Sequence, residues 1–237
     1  MRLFYDSDIS GDFHVLKQEE SHHCTKVLRL KKGDELYITD GLGKLYSCEI
    51  AEIHQKKTLV KINSKTNGKD KRDYRLHIAI APTKSNDRIE WFVEKSTEIG
   101  IDEITPIICK NSERKIVKNP RLNKVAESAM KQSYKTYHPV INEQLSFVDF
   151  IKQNFGSTEK FIAHCEEHTD KVYLGNLIKK SGNYLILIGP EGDFNSEEIK
   201  MAKDAGFIPV SIGKSRLRTE TAGVVSCDIC SIVNQLF

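Results

Sequence analysis

Short apolar runs rich in β-branched and aromatic residues dominate the first third of the chain. Residues 35–39, 45–50 and 58–62 each read as a strand. Turn signals separate them: Gly33-Asp34, Asp40-Gly41-Leu42-Gly43 and Gln55-Lys56-Lys57. One helix is expected over residues 21–28, with Ser21 as its N-cap. So many short strands close most naturally as a small barrel. Residues 63–73 contain no apolar side chain and read as an interdomain linker.

Beyond the linker the hydrophobic period changes. Residues 76–81 form a continuous apolar run, the pattern of a strand buried on both faces. Over residues 88–99, Ile89, Phe92, Val93 and Ile99 share a helical stripe that Gly100 ends. Residues 104–109 return to strand. Asn119-Pro120 then reads as an N-cap followed by proline at the first helical position, with Leu122, Val125, Ala126, Ala129 and Met130 on one face. Further alternation runs through residues 160–165, 171–179 and 184–188. Asn195 and Glu198 have capping-box spacing, and Gly206 closes that helix. Residues 207–212 form the next strand, and the last helix is expected to bury Val225, Ile229, Ile232, Val233 and Leu236. Such alternation predicts an α/β domain with a mainly parallel sheet covered by helices on both faces. The expected domains are a β-barrel over 1–67 and an α/β domain over 74–237.

Composition narrows the function classes. With 39% hydrophobic and 29% charged residues, the chain reads as globular. No segment has the apolar length of a membrane span, and the N-terminus lacks a signal-peptide core, so a cytoplasmic location is expected. Cys227 and Cys230 lie late in a helical pattern, whereas a redox pair sits at a helix start, so packing is the expected role. His22-His23-Cys24 are adjacent and do not converge on an ion, and no metal is expected. The net charge of +3 says little about partners, but its distribution says more. Residues 110–138 hold eight Lys/Arg against two acids. Such a run fits either a solvated face or a footprint for an anionic polymer.

Two loops carry the candidate chemistry: Gly189-Pro190-Glu191-Gly192-Asp193-Phe194, and Gly213-Lys214-Ser215-Arg216-Leu217-Arg218-Thr219-Glu220-Thr221-Ala222. Each follows an apolar strand and precedes a helix, the arrangement that opens a pocket at strand ends. Gly213-Lys214-Ser215 is not a P-loop, because Ile208 stands where that motif needs glycine, and no GxGxxG follows the first α/β strand. Glycines at 189, 192 and 213 permit close backbone approach to a flat ligand, and Ile188, Ile212 and Leu217 could sandwich it. Turn formation alone, with Glu220 complementing a helix dipole, is the simpler alternative.

Gly189-Pro190-Glu191-Gly192 with Leu217-Arg218-Thr219-Glu220-Thr221-Ala222 resembles the signature of the ribosomal RNA small-subunit methyltransferase E family, SPOUT-class enzymes that methylate uridine N3 in 16S ribosomal RNA. Val27-Leu28-Arg29-Leu30 with Gly33-Asp34 resembles the family's PUA-like barrel. Lys95-Ser96-Thr97-Glu98-Ile99-Gly100 and Ala129-Met130-Lys131-Gln132-Ser133 resemble two of its helix segments. The chain departs from the family's pattern at Asp193, where glycine is common, at Arg216, where an aliphatic residue is common, and at Tyr134-Lys135, where glycine and arginine are common.

The resemblance implies a deep trefoil knot, S-adenosylmethionine as methyl donor, a homodimer, and small-subunit ribosomal RNA as partner. It also implies that Ile188, Gly189, Glu191, Gly192, Ile212, Gly213 and Leu217 hold the donor. Methylation at N3 needs removal of a proton and stabilisation of charge spreading onto O2 and O4. Arg218 suits that charge, Glu220 is a proton acceptor or an orienting partner for Arg218, and Thr219 is a hydrogen-bonding or capping residue. Arg29, Lys31, Arg114, Arg121 and Gln132 are the expected RNA contacts, and His164 and Glu166 are candidates for lining the pocket. The alternatives are a SPOUT methyltransferase for another RNA position and a catalytically silent RNA-binding protein.

Overall fold

The computed structural model describes residues 2–54, 57–166 and 171–236, so the expected turn at 55–57 lies largely outside the described residues. The chain divides into two compact units, one of residues 1–71 with 127–138 and one of residues 72–126 with 139–237.

In the first unit, β1 (Leu3–Tyr5), β2 (Phe13–Val15), β3 (Glu35–Thr39), β4 (Lys44–His54) and β5 (Lys57–Asn67) form one sheet in the order β1-β3-β4-β5-β2. Phe4, Leu36, Ile38, Cys48, Ile50 and Val60 from four of these strands share a core with Leu16, Cys24 and Leu30. Residues 63–67, expected to be linker, extend β5, because they pair with the start of β4 as far as Lys44↔Asn67. The expected helix starts earlier than Ser21: α1 (Gln18–His22) runs into a π-helical turn, His23–Val27. Ser21 is buried and does not cap it. Its hydroxyl donates to the Leu16 carbonyl (3.1 Å) and accepts from the Thr58 N–H (3.1 Å), tying α1 to β5. Residues 127–138 join this unit through the β3–β4 hairpin: Thr39 Oγ1 donates to the Thr136 carbonyl (3.1 Å), as does the Gly43 N–H (2.9 Å).

The second unit is built on a parallel sheet. Its elements are β6 (Arg75–Ile80), α2 (Asn86–Ile99), β7 (Glu103–Ile108), α3 (Asn119–Gln132, which continues into the first unit), β8 (Val140–Ile141), β9 (Leu145–Ser146), α4 (Phe147–Ile151), β10 (Glu159–Ala163), β11 (Val172–Tyr173), β12 (Asn183–Ile188), α5 (Ser196–Asp204), β13 (Ile208–Ser211) and α6 (Thr219–Leu236). The strand order is β11-β13-β10-β12-β6-β7-β8, with β9 beside β7. Alternate side chains of the central strands enter two cores. Leu76, Ile78, Ile80, Ile186 and Ile188 pack with Phe92 of α2 and Cys227 of α6. Ala79, Leu185 and Leu187 pack on the other face with Phe150 of α4 and Ile199 of α5. That division explains why β6 and β12 read as unbroken apolar runs.

Two of the expected helix ends form as read, and one does not. Asn195 and Glu198 form the expected capping box, and Gly100 closes α2. Asn119 is not an N-cap. The Lys118 carbonyl accepts from the Arg121 N–H, while Asn119 Nδ2 donates to the Asn142 carbonyl (2.7 Å), fastening α3 to the end of β8. Along α6, Ile229 is buried and Val225 and Val233 are partly buried against the core, but Ile232 is 41% exposed. The side chain of Leu236 lies outside the described residues.

One buried polar cluster predicts how this unit responds to acid. His77 Nε2 lies 2.8 Å from Thr105 Oγ1, and Glu103 approaches the other ring nitrogen (3.8 Å). Burial pushes the imidazole down to about 4 from its ordinary 6.5, against the opposing pull of Glu103. The ring is therefore neutral in the fold and takes up a proton first in the unfolded chain. Stability should decline as pH falls from 6.5 towards about 4, with a limiting slope on the order of 1.4 kcal/mol per pH unit. His77→Gln, which keeps a polar partner for Thr105 without titrating, should show a shallower fall in Tm between pH 7 and pH 5 than the wild type.

Candidate active site

Three strand ends build the site. Ala163 of β10 pairs with Ile188 of β12 on one side and Val210 of β13 on the other, all in parallel register. The three following loops therefore leave the sheet at the same level and direction. Between them lies a cleft of about 760 Å³, floored by Ala163, Ile188 and Val210 and walled by residues 189–193 and 211–219.

The 189–194 loop is held from every side. The Asp193 N–H donates to the Pro190 carbonyl (2.9 Å), closing a turn. Asn111 Nδ2 donates to the carbonyls of Gly192 and Asp193 (3.1 Å each). Glu191 Oε1 accepts from the Lys84 N–H (2.9 Å). A Cβ at position 189 would lie 3.0 Å from the Phe194 ring, so glycine lets the loop close onto its own aromatic residue without displacing the ring. Asp193 has φ 63, a left-handed conformation natural for glycine and tolerated by aspartate. Its carboxylate uses that position: Oδ1 accepts from the Phe194 N–H (2.8 Å), and Oδ2 accepts from the Cys165 N–H (2.7 Å). Asp193 thus joins the loop after β12 to the loop after β10.

The 213–218 loop is tied differently. Gly213 has φ 151 with open space where a Cβ would stand. Ser211 Oγ bonds both its N–H (3.3 Å) and its carbonyl (3.0 Å). Among the described residues, 214–217 make no hydrogen bond or ion pair to the rest of this unit. The loop is pinned again at Thr219, whose Oγ1 donates to the Gly189 carbonyl (3.0 Å), bridging the two glycine loops.

The expected catalytic residues separate here. Arg218 is exposed at the cleft, and its guanidinium has no hydrogen-bond or ion-pair partner among the described residues. Thr219 starts α6 and is buried by its contact with Gly189. Glu220 does not orient Arg218. It turns into the interior, where Oε1 lies 3.8 Å from Arg88 Nε of α2 and Oε2 has no hydrogen-bond partner. Successive residues at a helix start diverge by about 100°, which separates positions 218 and 220. The donor-holding residues expected from the resemblance come together: Ile188, Gly189, Glu191, Ile212, Gly213 and Leu217 all line the cleft, while Gly192 stands behind it against Asn111.

His164 also lines the cleft, only 7% exposed, with neither ring nitrogen hydrogen-bonded. Burial, reinforced by Lys171, lowers its pKa and keeps the ring neutral at physiological pH. Glu166 accepts from Ser196 Oγ (2.9 Å) at the start of α5. The expected RNA contacts fall into two groups. Arg29, Lys31 and Gln132 are exposed in the first unit. Arg114 and Arg121 are engaged inside the second: Arg114 donates to the carbonyls of Thr83 and Lys84, and Arg121 forms a two-point pair with Glu90.

Residues 70–231 match a family described as the RNA methyltransferase domain, and residues 16–63 match the RNA methyltransferase PUA domain. A ribosomal RNA small subunit methyltransferase E from Buchnera aphidicola subsp. Acyrthosiphon pisum (strain APS) is 30% identical over 234 residues, spanning 95% of this chain and 90% of its own. The chain belongs to the ribosomal RNA small-subunit methyltransferase E family. A probable rRNA-methyltransferase from Porphyromonas gingivalis has a TM-score of 0.90 at 40% identity over 96% of each chain. A ribosomal RNA small subunit methyltransferase E from Neisseria gonorrhoeae, solved bound to S-adenosyl methionine, has a TM-score of 0.85 at 25% identity, covering 96% of this chain and 95% of that one.

Membership of the methyltransferase E family leaves Asn111, Arg88 and the Asp193–Cys165 tie as features of the site that sequence reasoning missed. Asp193 was visible as a departure from glycine, but its partner was not. Asp193→Gly should keep the backbone conformation and lose the tie, so amide exchange at Cys165 should accelerate about tenfold or more while Tm changes little. Asp193→Asn, which retains an acceptor, should leave that amide protected. Unchanged exchange in the glycine variant would remove the bridging role.

Proposed function

We propose that this chain transfers a methyl group from S-adenosylmethionine to N3 of a uridine in 16S ribosomal RNA of the small subunit. The observation that carries this reading is the cleft itself, with its apolar floor, its two bridged glycine loops and, beside them, the Arg218 guanidinium, which has no partner among the described residues. The residues present fit the methyl donor. About 760 Å³ suits a nucleoside with a short amino-acid tail, and Ile188, Ile212 and Leu217 supply apolar contacts for a flat base. Gly213 leaves open space beside its backbone, and Ile188, Gly189, Glu191, Ile212, Gly213 and Leu217 would hold the donor. When bound, S-adenosylmethionine supplies a methyl group on a positively charged sulfur.

The protein's own part is to bind, orient and neutralise. Uridine N3 loses its proton to solvent as its lone pair attacks, and negative charge spreads onto the two carbonyl oxygens of the base. Arg218 places a permanent, planar positive charge where that anion develops. Thr219, fixed to Gly189, sets the height of Arg218 above the cleft floor. Glu220 acts as a positioning residue, anchoring the first turn of α6 beside Arg88. In the first unit, Arg29, Lys31 and Gln132 meet the RNA. Arg121, with 60% of its side chain exposed, keeps a face for phosphate, and Arg114 acts through the loop it holds. The same reading includes the family's trefoil knot, a cytoplasmic location and a homodimer, for which the exposed Ile232 on α6 offers an apolar contact.

Ribosomal RNA from cells lacking this gene should lose N3-methyluridine in nucleoside mass spectrometry, and an unchanged level would refute the assignment. Arg218→Ala should lower methylation of 16S ribosomal RNA by at least about a hundredfold. Its affinity for S-adenosylmethionine, measured by calorimetry, should stay within a few-fold of wild type, and near-normal turnover would dismiss the charge-stabilising role.

A further inference from the structure

Among the described residues, four that are not glycine adopt left-handed backbone: Arg29 (φ 54), Tyr134 (φ 56), Ser181 (φ 58) and Asp193 (φ 63). Two of them are accounted for by internal bonds. Asp193 bridges two loops, as described above. Ser181 is tied twice, its hydroxyl donating to Asp73 and its N–H donating to Asn234 Oδ1 (2.8 Å). Arg29 and Tyr134 have no such account. Both lie in the first unit, both are exposed, and neither side chain makes a hydrogen bond, ion pair or ring contact among the described residues.

The local geometry makes Tyr134 the sharper case. It follows α3 in a Schellman turn: the Lys135 N–H donates to the Met130 carbonyl (3.0 Å) and the Tyr134 N–H to the Lys131 carbonyl (3.3 Å). The left-handed residue of that turn is the position at which glycine is favoured, since any Cβ there is crowded. The tyrosine there is 52% exposed, and among the described residues its ring packs on no other ring and its hydroxyl makes no hydrogen bond. The backbone is held in a costly conformation that presents an aromatic face to solvent.

We propose that Tyr134 is a platform on which an unpaired base of the RNA substrate stacks. The neighbouring chemistry suits a nucleic acid: exposed Gln132 can bond a base edge, and Lys135 adds a cation. In the same unit Lys26, Arg29, Lys31 and Lys32 are all exposed, with no acidic residue between them. A phenol ring accepts any base face, while the cations take the backbone phosphates. The proposal rests on the reading that the substrate is ribosomal RNA, but not on the roles assigned at the cleft.

Three variants test it, with transcribed 16S ribosomal RNA and S-adenosylmethionine as separate probes. Tyr134→Gly should bind the RNA about tenfold more weakly, with Tm no lower than wild type. Tyr134→Leu keeps the crowded backbone and apolar bulk without the π-face, and should lose the same affinity. Tyr134→Phe should bind like wild type. All three should retain wild-type affinity for S-adenosylmethionine. Wild-type RNA binding by both the glycine and leucine variants, or weakened binding by the phenylalanine variant, would overturn the stacking role. A fall in Tm for Tyr134→Gly would show that the ring serves the fold instead. A wild-type protein that binds the transcript but methylates no uridine would sink the proposed function and leave the stacking result standing.

Discussion

Parallel pairing of Ala163 with both Ile188 and Val210 is the constraint on which the site depends. Parallel strands share a direction, so their following loops must emerge at one edge of the sheet. Residues far apart in the chain become neighbours there without direct attraction between them. The register is protected because β12 is buried on both faces and paired along its whole length with β6. A slip by one residue would exchange every side chain between the two cores. Ile186 and Ile188 would then face α4 and α5, and Leu185 and Leu187 would face α2 and α6.

On that base the two glycine loops have opposite characters. The loop after β12 is fixed by its own turn, by Asn111, by the Lys84 N–H and by Asp193. Among the described residues, the loop after β13 is fixed only at its ends, by Ser211 and Thr219. A rigid wall facing a loose one suits a site that must admit a ligand and then enclose it. Arg218 stands where the loose segment meets α6, so its backbone is anchored while its side chain is free.

Much of this architecture can be read from residue order alone. The apolar runs of β6 and β12, the Asn195–Glu198 capping box and the spacing of the two glycine loops are all local patterns. The misreadings share a cause. Ser21 and Asn119 look like caps, yet each spends its side chain on a distant strand end, a choice that only the folded arrangement offers. Glu220 sits beside Arg218 in the chain, but the first turn of α6 directs it to Arg88. Asn111 and Cys165 gain their importance from partners more than two dozen positions away, beyond the reach of periodicity.

The unbonded segment 214–217 has a thermodynamic consequence. Ordering a backbone costs roughly 1–2 kcal/mol per residue in conformational entropy. Any ligand that fixes these four residues draws that cost from its own contacts, so affinity understates the strength of the contacts made. The heat of association would then be large and opposed by entropy, even above an apolar floor whose burial alone favours a different signature. Tightening this loop in the free protein is therefore a route to stronger binding that adds no contact to the ligand.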